Sequence, residues 1–305
     1  MKSLVFIACS SILAGCSEKP ATNVRNMYAP LVFSPAQASN ALSNVTAFVT
    51  ECTPRNSGTT GSEVAAVWLH TRLTEQGIDT ILDRFTAPTP RGLKPFVNVL
   101  ASIPGKSDKW LLLLSHFDTM SGISESFQGA NDSGSSTGIL LELAVALHAF
   151  SPCKYNILCA FLDGEECMLA YSDRDGFHGS KRLANTMRQQ GKEIKAVILM
   201  DMVGDSDLKI TIPRNSTADL RVLALEAAEA TGDRDKIGLF DGTIYDDHQA
   251  FLDLGYPAVN LIDFQYGSRP GKNDYWHTTK DSLDKLSADS LLTTGRIVME
   301  MLNRL

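Results

Sequence analysis

The sequence predicts one α/β domain, with a mixed, mostly parallel central sheet and helices on both of its faces. Short apolar runs alternate with amphipathic segments along the chain, which is the order of strands and helices in a sheet covered on both faces. The chain has 305 residues and no internal repeat or low-complexity block, and this length is sufficient to enclose one large core. We therefore expect a single domain over residues 36–305.

The elements follow in chain order from hydrophobic periodicity and from capping and turn residues. Helices are predicted over residues 36–52, 62–76 (with Ser62 as the N-cap), 133–150, 179–190, 217–230, 247–254 and 282–302. Strands are predicted over residues 78–85, 95–103, 109–115, 155–162, 196–200, 208–212 and 258–262. A Pro-rich break is expected at residues 87–92, and a long loop at residues 263–277.

The first 35 residues are predicted to lie outside this domain. Residues 4–13 are mostly apolar, a stretch too short to span a bilayer but typical of the core of a signal peptide. It ends in Leu13-Ala14-Gly15-Cys16, which resembles the bacterial lipobox, where cleavage precedes a lipid-modified cysteine; an ordinary signal peptide is the alternative. We expect a signal peptide over residues 1–15 and a polar tether over residues 16–35. The protein would then be exported and held by a lipid on Cys16, on the periplasmic or outer-membrane side of a bacterial membrane.

The charge balance argues against nucleic acid as a partner. The chain has 28 Lys and Arg residues and 35 Asp and Glu residues, which gives a formal net charge of −7. No cluster of basic residues reverses this acidic balance locally. Beyond residue 16, no segment approaches the 18 consecutive apolar residues typical of a membrane span, so contact with a membrane is expected only through the lipid anchor.

Four cysteines remain beyond the predicted anchor, namely Cys52, Cys153, Cys159 and Cys167. An exported protein can form disulfides, and four cysteines allow three pairings. Cys159 lies in a predicted apolar strand and is expected to be a buried free thiol, whereas a bridge from Cys153 is left open. The spacing of these residues is not that of a zinc knuckle.

Side chains with metal-binding or acid–base chemistry follow the ends of several predicted strands. In an open α/β sheet, ligands bind outside the carboxyl ends of the strands, so these side chains are expected to meet there. Their mixture of carboxylates and imidazoles suits zinc. The set consists of His116, Asp118, Asp132, Glu165, Glu166, Asp201, Asp246 and His277.

For two pairs of residues within this set, the spacing in the sequence predicts the relative directions of the side chains. Successive side chains of an extended segment point in opposite directions, so Glu165 and Glu166 are expected to divide their roles, one binding a metal and the other facing the substrate. His116 and Asp118 are two residues apart and share a face. Asp118 is therefore expected to hold the His116 ring from behind.

The order of the motifs resembles the zinc exopeptidase superfamily that contains bacterial aminopeptidases and animal-type glutaminyl cyclases. The matching motifs are HxD at residues 116–118, GANDSGS at 129–135, EE at 165–166, DMVG at 201–204 and WHTT at 276–279. The resemblance covers about residues 55–303 and implies a phosphorylase/hydrolase-like α/β fold.

The resemblance also implies ligand sets and roles. In the two-zinc aminopeptidases, the position of Asp132 bridges the metals, Glu166 and His277 complete one site, and His116 and Asp201 complete the other. Glu165 matches the general base. In the cyclases, a single zinc is held at the positions of Asp132, Glu166 and His277, and the residues that match Glu165, Asp201 and Asp246 form an acid network.

Three features are similar to the cyclases in particular. The loop over residues 163–184 is long, Asp246 begins a D-D-H-x-x-F-L motif, and Trp276 directly precedes His277. Two positions depart from the animal cyclases, since Tyr171 stands where they have Trp and Asn260 where they have His. Aromatic pocket walls are expected from Tyr171, Trp276 and Phe264.

The leading functional hypothesis is therefore a zinc-dependent glutaminyl-peptide cyclotransferase, which forms N-terminal pyroglutamate with release of ammonia. An aminopeptidase with one or two zinc ions is the alternative, and a non-catalytic peptide-binding lipoprotein is the third hypothesis. The two enzymatic hypotheses make the N-termini of peptides or proteins the substrates of the site, and the third makes peptides its ligands.

Overall fold

An eight-stranded sheet forms the centre of the protein, with the strand order β1-β2-β4-β3-β5-β8-β6-β7. This computed structural model describes residues 30–305, so the expected signal peptide, Cys16 and most of the tether lie outside the described residues. Residues 31–305 form one compact unit. The strands are β1 Asp79–Thr89, β2 Gly92–Ile103, β3 Gly105–His116, β4 Cys153–Leu162, β5 Ile194–Asp201, β6 Ile210–Pro213, β7 Ile237–Phe240 and β8 Ala258–Ile262.

The sheet is mixed, and its central strands run parallel. β3 pairs in parallel with β4 and β5, and β5 pairs in parallel with β8. β2 pairs antiparallel with β1 and β4, whereas β6 pairs antiparallel with β8 and parallel with β7. Because the four central strands share one direction, their carboxyl ends meet at one edge of the sheet.

Helices cover both faces of the sheet, which confirms the predicted fold class. The helices are α1 Pro35–Glu51, α2 Thr60–Glu75, α3 Ser136–Ala149, α4 His178–Gln189, α5 Ala218–Thr231, α6 His248–Leu252 and α7 Ala288–Arg304. Apolar residues of α1, α2, α3, α5 and α7 share one core cluster with the sheet, and those of α4 and α6 share another. None of the helices within residues 30–305 is long and apolar enough to cross a membrane.

The alternation of side chains along β3 separates these two cores. Leu111 and Leu113 belong to the larger core, while Leu112 and Leu114 belong to the smaller one. All four side chains are buried, because a central strand with helices on both faces has no solvent-facing side. Buried Leu side chains of this kind each contribute roughly 1.5–3 kcal/mol.

Several predicted boundaries of helices and strands were wrong between residues 59 and 92. α2 begins at Thr60, because the side chain of Thr59 and not that of Ser62 accepts the N–H of Gly61 as an N-cap. The expected Pro-rich break at residues 87–92 is mostly strand, with β1 continuing to Thr89 and β2 starting at Gly92. β1 is an edge strand, where the missing N–H of a proline costs no ladder hydrogen bond.

Other differences lie near the functional end of the molecule. A tight turn over Ala130–Ser135 precedes α3, so that helix starts three residues later than predicted. The last helix begins at Ala288 and not at residue 282, with the Ser287 side chain accepting the N–H of Ser290. The short edge strand β7 was not predicted, since four residues carry too little periodicity to be recognised.

The four cysteines between residues 52 and 167 are free thiols. Cys159 is fully buried in β4, as expected for a free thiol in an apolar strand. Burial raises the pKa of the Cys52 and Cys167 thiols to about 11, so both remain protonated and poorly reactive near neutral pH.

Candidate active site

The predicted site residues meet at the carboxyl ends of the central strands. His116 ends β3 and Asp201 ends β5, while Glu165 and Glu166 follow β4. Loops from other parts of the chain bring in three further members of the set, Asp132, Asp246 and His277. All of these side chains are buried or largely buried, so the residues form one enclosed cluster.

Asp132 lies at the centre of the cluster, between two histidines. Its Oδ1 atom lies 3.1 Å from Nε2 of His116, and its Oδ2 atom lies 3.3 Å from Nε2 of His277. Nε2 of His277 is also 3.1 Å from Oε1 of Glu166, and Nε2 of His116 is 3.3 Å from Oδ1 of Asp201. One carboxylate is thus common to two groups of potential ligands.

The two groups fit metal ions by geometry and by charge. Within the described chain, the ligand atoms of His116, Asp132 and Asp201 lie within 4.8 Å of one another, as do those of Asp132, Glu166 and His277. Burial opposes protonation of His277, yet its contacts with Asp132 and Glu166 raise the pKa of its imidazole to about 10. The carboxylates therefore stabilise positive charge at this place, which is what a cation requires.

A second layer of residues holds Asp132 in position. The carboxylate of Asp281 accepts the N–H groups of Asn131 (2.7 Å) and Asp132 (3.1 Å) and a hydrogen bond from the Tyr266 hydroxyl (2.9 Å). Asp281 was not singled out in the sequence, because it lies in a polar stretch after the WHTT motif that has no distinguishing pattern. Asp281 and Asn131 are also 150 residues apart in the sequence, so no local pattern indicates their contact.

Arg55 is a second positioning residue that sequence reasoning missed. Its side chain is fully buried and donates to the carbonyl oxygens of Phe117 (2.7 Å), Gln128 (2.8 Å) and Gly129 (2.7 Å). Burial lowers the pKa of this guanidinium to about 10, so it remains a cation at neutral pH. Arg55 therefore joins the HxD loop to the GANDSGS turn and places fixed positive charge beneath the acidic cluster.

Asp118 holds the two glutamates as well as the histidine. Its carboxylate oxygens accept the N–H groups of Glu165 (3.2 Å) and Glu166 (3.1 Å), and Oδ1 lies 3.5 Å from Nδ1 of His116. Glu165 and Glu166 lie beyond the end of β4, so strand alternation does not govern them. Their side chains nevertheless diverge, since Glu166 contacts His277 and Glu165 lines the cavity.

The long loop after the glutamates is ordered by buried polar groups. The carboxylate of Asp175 accepts the N–H groups of Met168, Leu169 and Ala170 at 2.6–3.0 Å. Gly176 has a positive φ, and a Cβ atom there would lie only 2.6 Å from the Tyr171 ring. The loop therefore presents Tyr171 in one orientation, with its hydroxyl 3.2 Å from Oε2 of Glu166 and 3.3 Å from Oε2 of Glu165.

Backbone strain concentrates at the same edge of the sheet. Within residues 30–305, three non-glycine residues have positive φ angles, namely Phe177, Met202 and His277. Met202 directly follows Asp201, His277 is a potential ligand, and Phe177 ends the loop after the glutamates. Left-handed backbone at such residues costs of order 1–3 kcal/mol each and is typical of functional sites.

Three carboxylates, Glu165, Asp201 and Asp246, line the cavity without being members of the Asp132–Glu166–His277 group. Burial raises the pKa of each above its ordinary range, and their mutual repulsion adds to the shift for Glu165 and Asp246. Asp246 is held by the Nδ2 group of Asn260 (2.7 Å) and by the N–H of Asp247 (2.6 Å). Asn260 thus fixes the orientation of an acid that faces the cavity.

The cavity has a volume of about 240 Å³ and combines acidic and apolar walls. Its acidic wall is formed by Asp132, Glu165, Asp201 and Asp246. Its apolar wall includes the expected pocket residues Tyr171, Trp276 and Phe264. It is lined by Asp132, Glu165, Tyr171, Asp201, Thr243, Ile244, Tyr245, Asp246, Ile262, Phe264, Trp276 and His277. Such a cavity can take one polar side chain with an adjacent positive charge.

Comparison with known proteins places the chain in a family. The profile of peptidase family M28 matches residues 98–302, more than half of the chain. The glutaminyl-peptide cyclotransferase of Drosophila melanogaster is 26% identical over 274 residues, which cover 80% of this chain and 76% of the relative.

Solved structures agree with this relationship. The glutaminyl cyclase of an Acidobacteriales bacterium superposes with a TM-score of 0.82 at 35% sequence identity, covering 93% of this chain and 97% of that chain. A zinc-dependent exopeptidase from Parabacteroides distasonis superposes with a TM-score of 0.79 over 91% of this chain and 100% of that chain, but at 24% identity it shows a common fold alone. On the shared fold, the family match and the similarity to glutaminyl cyclases, this chain belongs to peptidase family M28.

Proposed function

We propose that the protein is a zinc-dependent glutaminyl-peptide cyclotransferase, which converts N-terminal glutamine of peptides into pyroglutamate. The observation that carries the proposal is the position of Glu165, Asp201 and Asp246 around one small cavity beside the Asp132–Glu166–His277 group. Relatives and solved structures named as glutaminyl cyclases support the same assignment.

Asp132, Glu166 and His277 are the residues that would hold the metal ion. Two carboxylates and one imidazole are typical zinc donors, and the three ligand atoms lie within 4.8 Å of one another. When bound, zinc would supply Lewis-acid polarisation of the side-chain amide carbonyl of the glutamine.

Glu165 is placed to act as the proton carrier. The α-amine of the substrate attacks the side-chain carbonyl carbon, so that a new C–N bond closes the five-membered ring and the bond to the side-chain nitrogen breaks. Glu165 takes a proton from the α-amine and returns it to the departing nitrogen, which leaves as ammonia. A buried carboxylate with a raised pKa suits both directions of this transfer.

The remaining cavity residues orient the substrate. Asp246 receives two donors that hold its carboxylate in place, and it can accept a hydrogen bond from a substrate N–H. Asp201 lies on the same wall. Apolar walls keep the substrate side chain bent towards its own amine, which converts the ring closure into a well-oriented intramolecular step.

An aminopeptidase is the second candidate, and one specific observation favours it. The His116–Asp132–Asp201 group is as compact as the first group and shares Asp132 with it, as two adjacent cations would require. In that case Glu165 would activate a water molecule for attack on the first peptide bond.

The experiment that separates the two uses purified protein supplied with zinc and two peptides, one beginning Gln-Phe and one beginning Leu-Phe. Loss of one ammonia from the Gln peptide without chain cleavage, read by mass spectrometry, is the result expected of a cyclotransferase. Release of the first residue from either peptide would replace the proposal with an aminopeptidase. Two unchanged peptides would contradict both enzymatic assignments.

A further inference from the structure

The amino ends of the central strands carry a group of lysines that is not a cluster in the sequence. These lysines come from three segments, residues 105–110 in β3, 153–155 in β4 and 192–195 at the start of β5. Because β3 pairs in parallel with both β4 and β5, the three segments lie at the same edge of the sheet. We call this group the basic edge, and it consists of Lys106, Lys109, Lys154, Lys192 and Lys195.

The basic edge reverses the acidic charge of the protein locally. Its three segments contain five lysines and two acidic residues, Asp108 and Glu193, which gives a net charge of +3 (5 − 2), whereas the whole chain has a net charge of −7. Glu193 forms an ion pair with Lys109 at 2.6 Å. Lys106 and Lys154 are exposed and the other three lysines are partly exposed, so this positive charge lies at the protein surface.

Two aromatic rings are interleaved with these lysines. The ammonium group of Lys192 lies 5.0 Å from the ring centroid of Trp110, and that of Lys154 lies 4.9 Å from the ring centroid of Tyr155. Both rings are partly exposed, and each also packs against one of the apolar cores. Trp, Tyr and Lys are the residue types that favour the boundary between a membrane and water, because each combines an apolar body with a polar tip.

The described chain begins beside the basic edge. The backbone N–H of Leu31 donates to Oδ1 of Asn303 (2.8 Å), and Nδ2 of Asn303 donates to the carbonyl oxygen of Leu31 (2.9 Å). Two residues further on, the carbonyl oxygen of Leu305 accepts hydrogen bonds from the Lys154 ammonium group (2.9 Å) and the Tyr155 hydroxyl (3.3 Å). The expected tether therefore joins the domain next to these lysines.

The length of the tether limits how far the domain can move from a lipid on Cys16. Fifteen residues separate Cys16 from Leu31 (31 − 16), and a fully extended chain of this length spans at most about 50 Å. Because the tether joins the domain beside the basic edge, this surface is the part of the domain that the expected anchor keeps nearest to the membrane.

The candidate active site lies at the opposite ends of the same strands. His116 is the last residue of β3, which has 12 residues, and Asp201 is the last residue of β5, which has 8. At about 3.3 Å per residue, these strands separate the two ends by roughly 25–40 Å. The Debye length at 0.1 M salt is about 10 Å, so a membrane in contact with the basic edge exerts little force on the acidic cavity.

We propose that the basic edge docks on the anionic headgroups of a phospholipid membrane and directs the cavity away from that membrane. The ammonium groups contact headgroup phosphates, while Trp110 and Tyr155 lie at the level of the headgroups. Each lysine near an anionic surface strengthens the association about fivefold. This suffices to orient an anchored protein but holds an unanchored one only reversibly. The proposal is independent of the reaction, because none of the five lysines lines the cavity.

The test measures binding of the full chain carrying Cys16→Ser, which cannot be lipid-modified at this position, to sedimented vesicles at about 0.1 M salt. The vesicles consist of phosphatidylcholine alone or of equal parts of phosphatidylcholine and phosphatidylglycerol. We expect at least about tenfold tighter binding to the mixed vesicles. This difference should disappear at about 1 M salt, where the Debye length falls to about 3 Å. Equal binding to the two kinds of vesicle at 0.1 M salt would overturn the proposal.

Two triple variants with the same change in net charge separate the basic edge from the charge of the whole protein. The first removes one lysine from each segment, through Lys106→Gln, Lys154→Gln and Lys192→Gln. The matched control removes three exposed lysines from loops near the carboxyl ends of the strands, through Lys209→Gln, Lys272→Gln and Lys280→Gln. We expect the first variant to bind mixed vesicles at least about tenfold more weakly and the control to bind within about twofold of the parent. An equal loss in both variants would overturn the proposal.

Hydrogen exchange on the Cys16→Ser chain tests the docking surface without any substitution in it, so misfolding of a variant does not affect this result. Mixed vesicles should slow exchange in residues 104–110 and 190–195 and leave the loop over residues 263–277 unchanged. Slower exchange in that loop alone would overturn the proposed orientation. Binding of a polyglutamate peptide without binding of mixed vesicles would assign the basic edge to an acidic protein partner and overturn the membrane proposal.

Discussion

Asp132 is the residue on which both potential metal groups depend, because each of its carboxylate oxygens faces a different histidine. His116 ends β3, and His277 lies 145 positions after Asp132 (277 − 132), so the three residues lie in separate segments of the chain. The hydrogen bonds from two backbone N–H groups to Asp281 keep the turn that carries Asp132 in place. The site is therefore built from residues that only the fold brings together.

Glu166→Ala and His277→Ala are each expected to lose bound metal and activity together. Each change removes one ligand from a group whose atoms lie within 4.8 Å, and we expect at least about a 100-fold loss, since even residues behind a ligand set contribute 10–100-fold. Metal content per protein chain, measured by elemental analysis after dialysis, checks the expectation. Full metal retention in both variants would remove these residues from the ligand set; His148→Ala, outside the cluster, is the matched control.

Glu165→Gln is expected to keep the fold and the metal but to lose turnover by roughly 10²–10⁴-fold, the usual contribution of a general acid–base group. The amide is nearly isosteric, so the contact with Tyr171 can persist, but it cannot carry a proton. Turnover, metal content and circular dichroism are compared with those of the unmodified protein. Near-normal turnover would exclude Glu165 as the proton carrier.

At the scale of elements, the loop between β4 and α4 is organised by one carboxylate. Asp175 accepts three consecutive N–H groups, and Lys181 of α4 donates to the carbonyl oxygens of Ser172, Asp173 and Gly176. The helix start is equally constrained, since a Cβ atom at Gly179 would lie 2.4 Å from Oδ1 of Asn98. These contacts make a long segment without regular structure into a rigid wall of the cavity.

Asp175→Ala is expected to lower the free energy of unfolding by about 1–3 kcal/mol, because the buried N–H of Met168 loses its acceptor. Since the same loop carries Tyr171, KM should rise as well. Chemical denaturation and steady-state kinetics check the two effects. Asp173→Ala, on the exposed part of the same loop, is the control and should change neither; an unaltered stability in Asp175→Ala would show that the loop orders itself without this carboxylate.

Helices and strands were predicted correctly where the hydrophobic pattern extends over many residues. The predictions failed where tertiary contacts determine the ends of an element. The central strands and most helices were recognised, because buried apolar runs of five or more residues have few alternatives. β1 continues through Pro88, since an edge position tolerates a proline. The N-termini of α2 and α7, capped by Thr59 and Ser287, depend on local capping geometry, which the residue types alone do not determine.

At the scale of the whole molecule, residues 31–305 form one compact unit, and the chain belongs to peptidase family M28. The lipid anchor at Cys16 stays a prediction. We expect the expressed chain to sediment with membranes and Cys16→Ser to move it to the soluble fraction, because a lipid chain is the only membrane contact that the sequence predicts. Cys9→Ser, within the expected signal segment, is the control and should not change the distribution. Equal partitioning of the unmodified chain and Cys16→Ser would contradict the lipid anchor.

The sequence by itself determined the fold class, the family and the set of polar residues that the fold gathers in the candidate site. Each of these depends on information that is local in the chain: apolar periodicity for the strands and helices, and short motifs for the residues at their ends. The HxD, EE and DMVG motifs all lie at strand ends that the parallel sheet must gather at one edge.

Only the tertiary structure decided how these residues are supported and what surrounds them. Asp281, Arg55 and Asp175 hold the site through hydrogen bonds to backbone groups, and any residue type presents those groups. Such contacts leave no sequence pattern, because the partner contributes an N–H or C=O and not a side chain. The aromatic part of the cavity wall is likewise a product of folding, since Tyr171, Tyr245 and Phe264 come from three loops and meet only at the cavity.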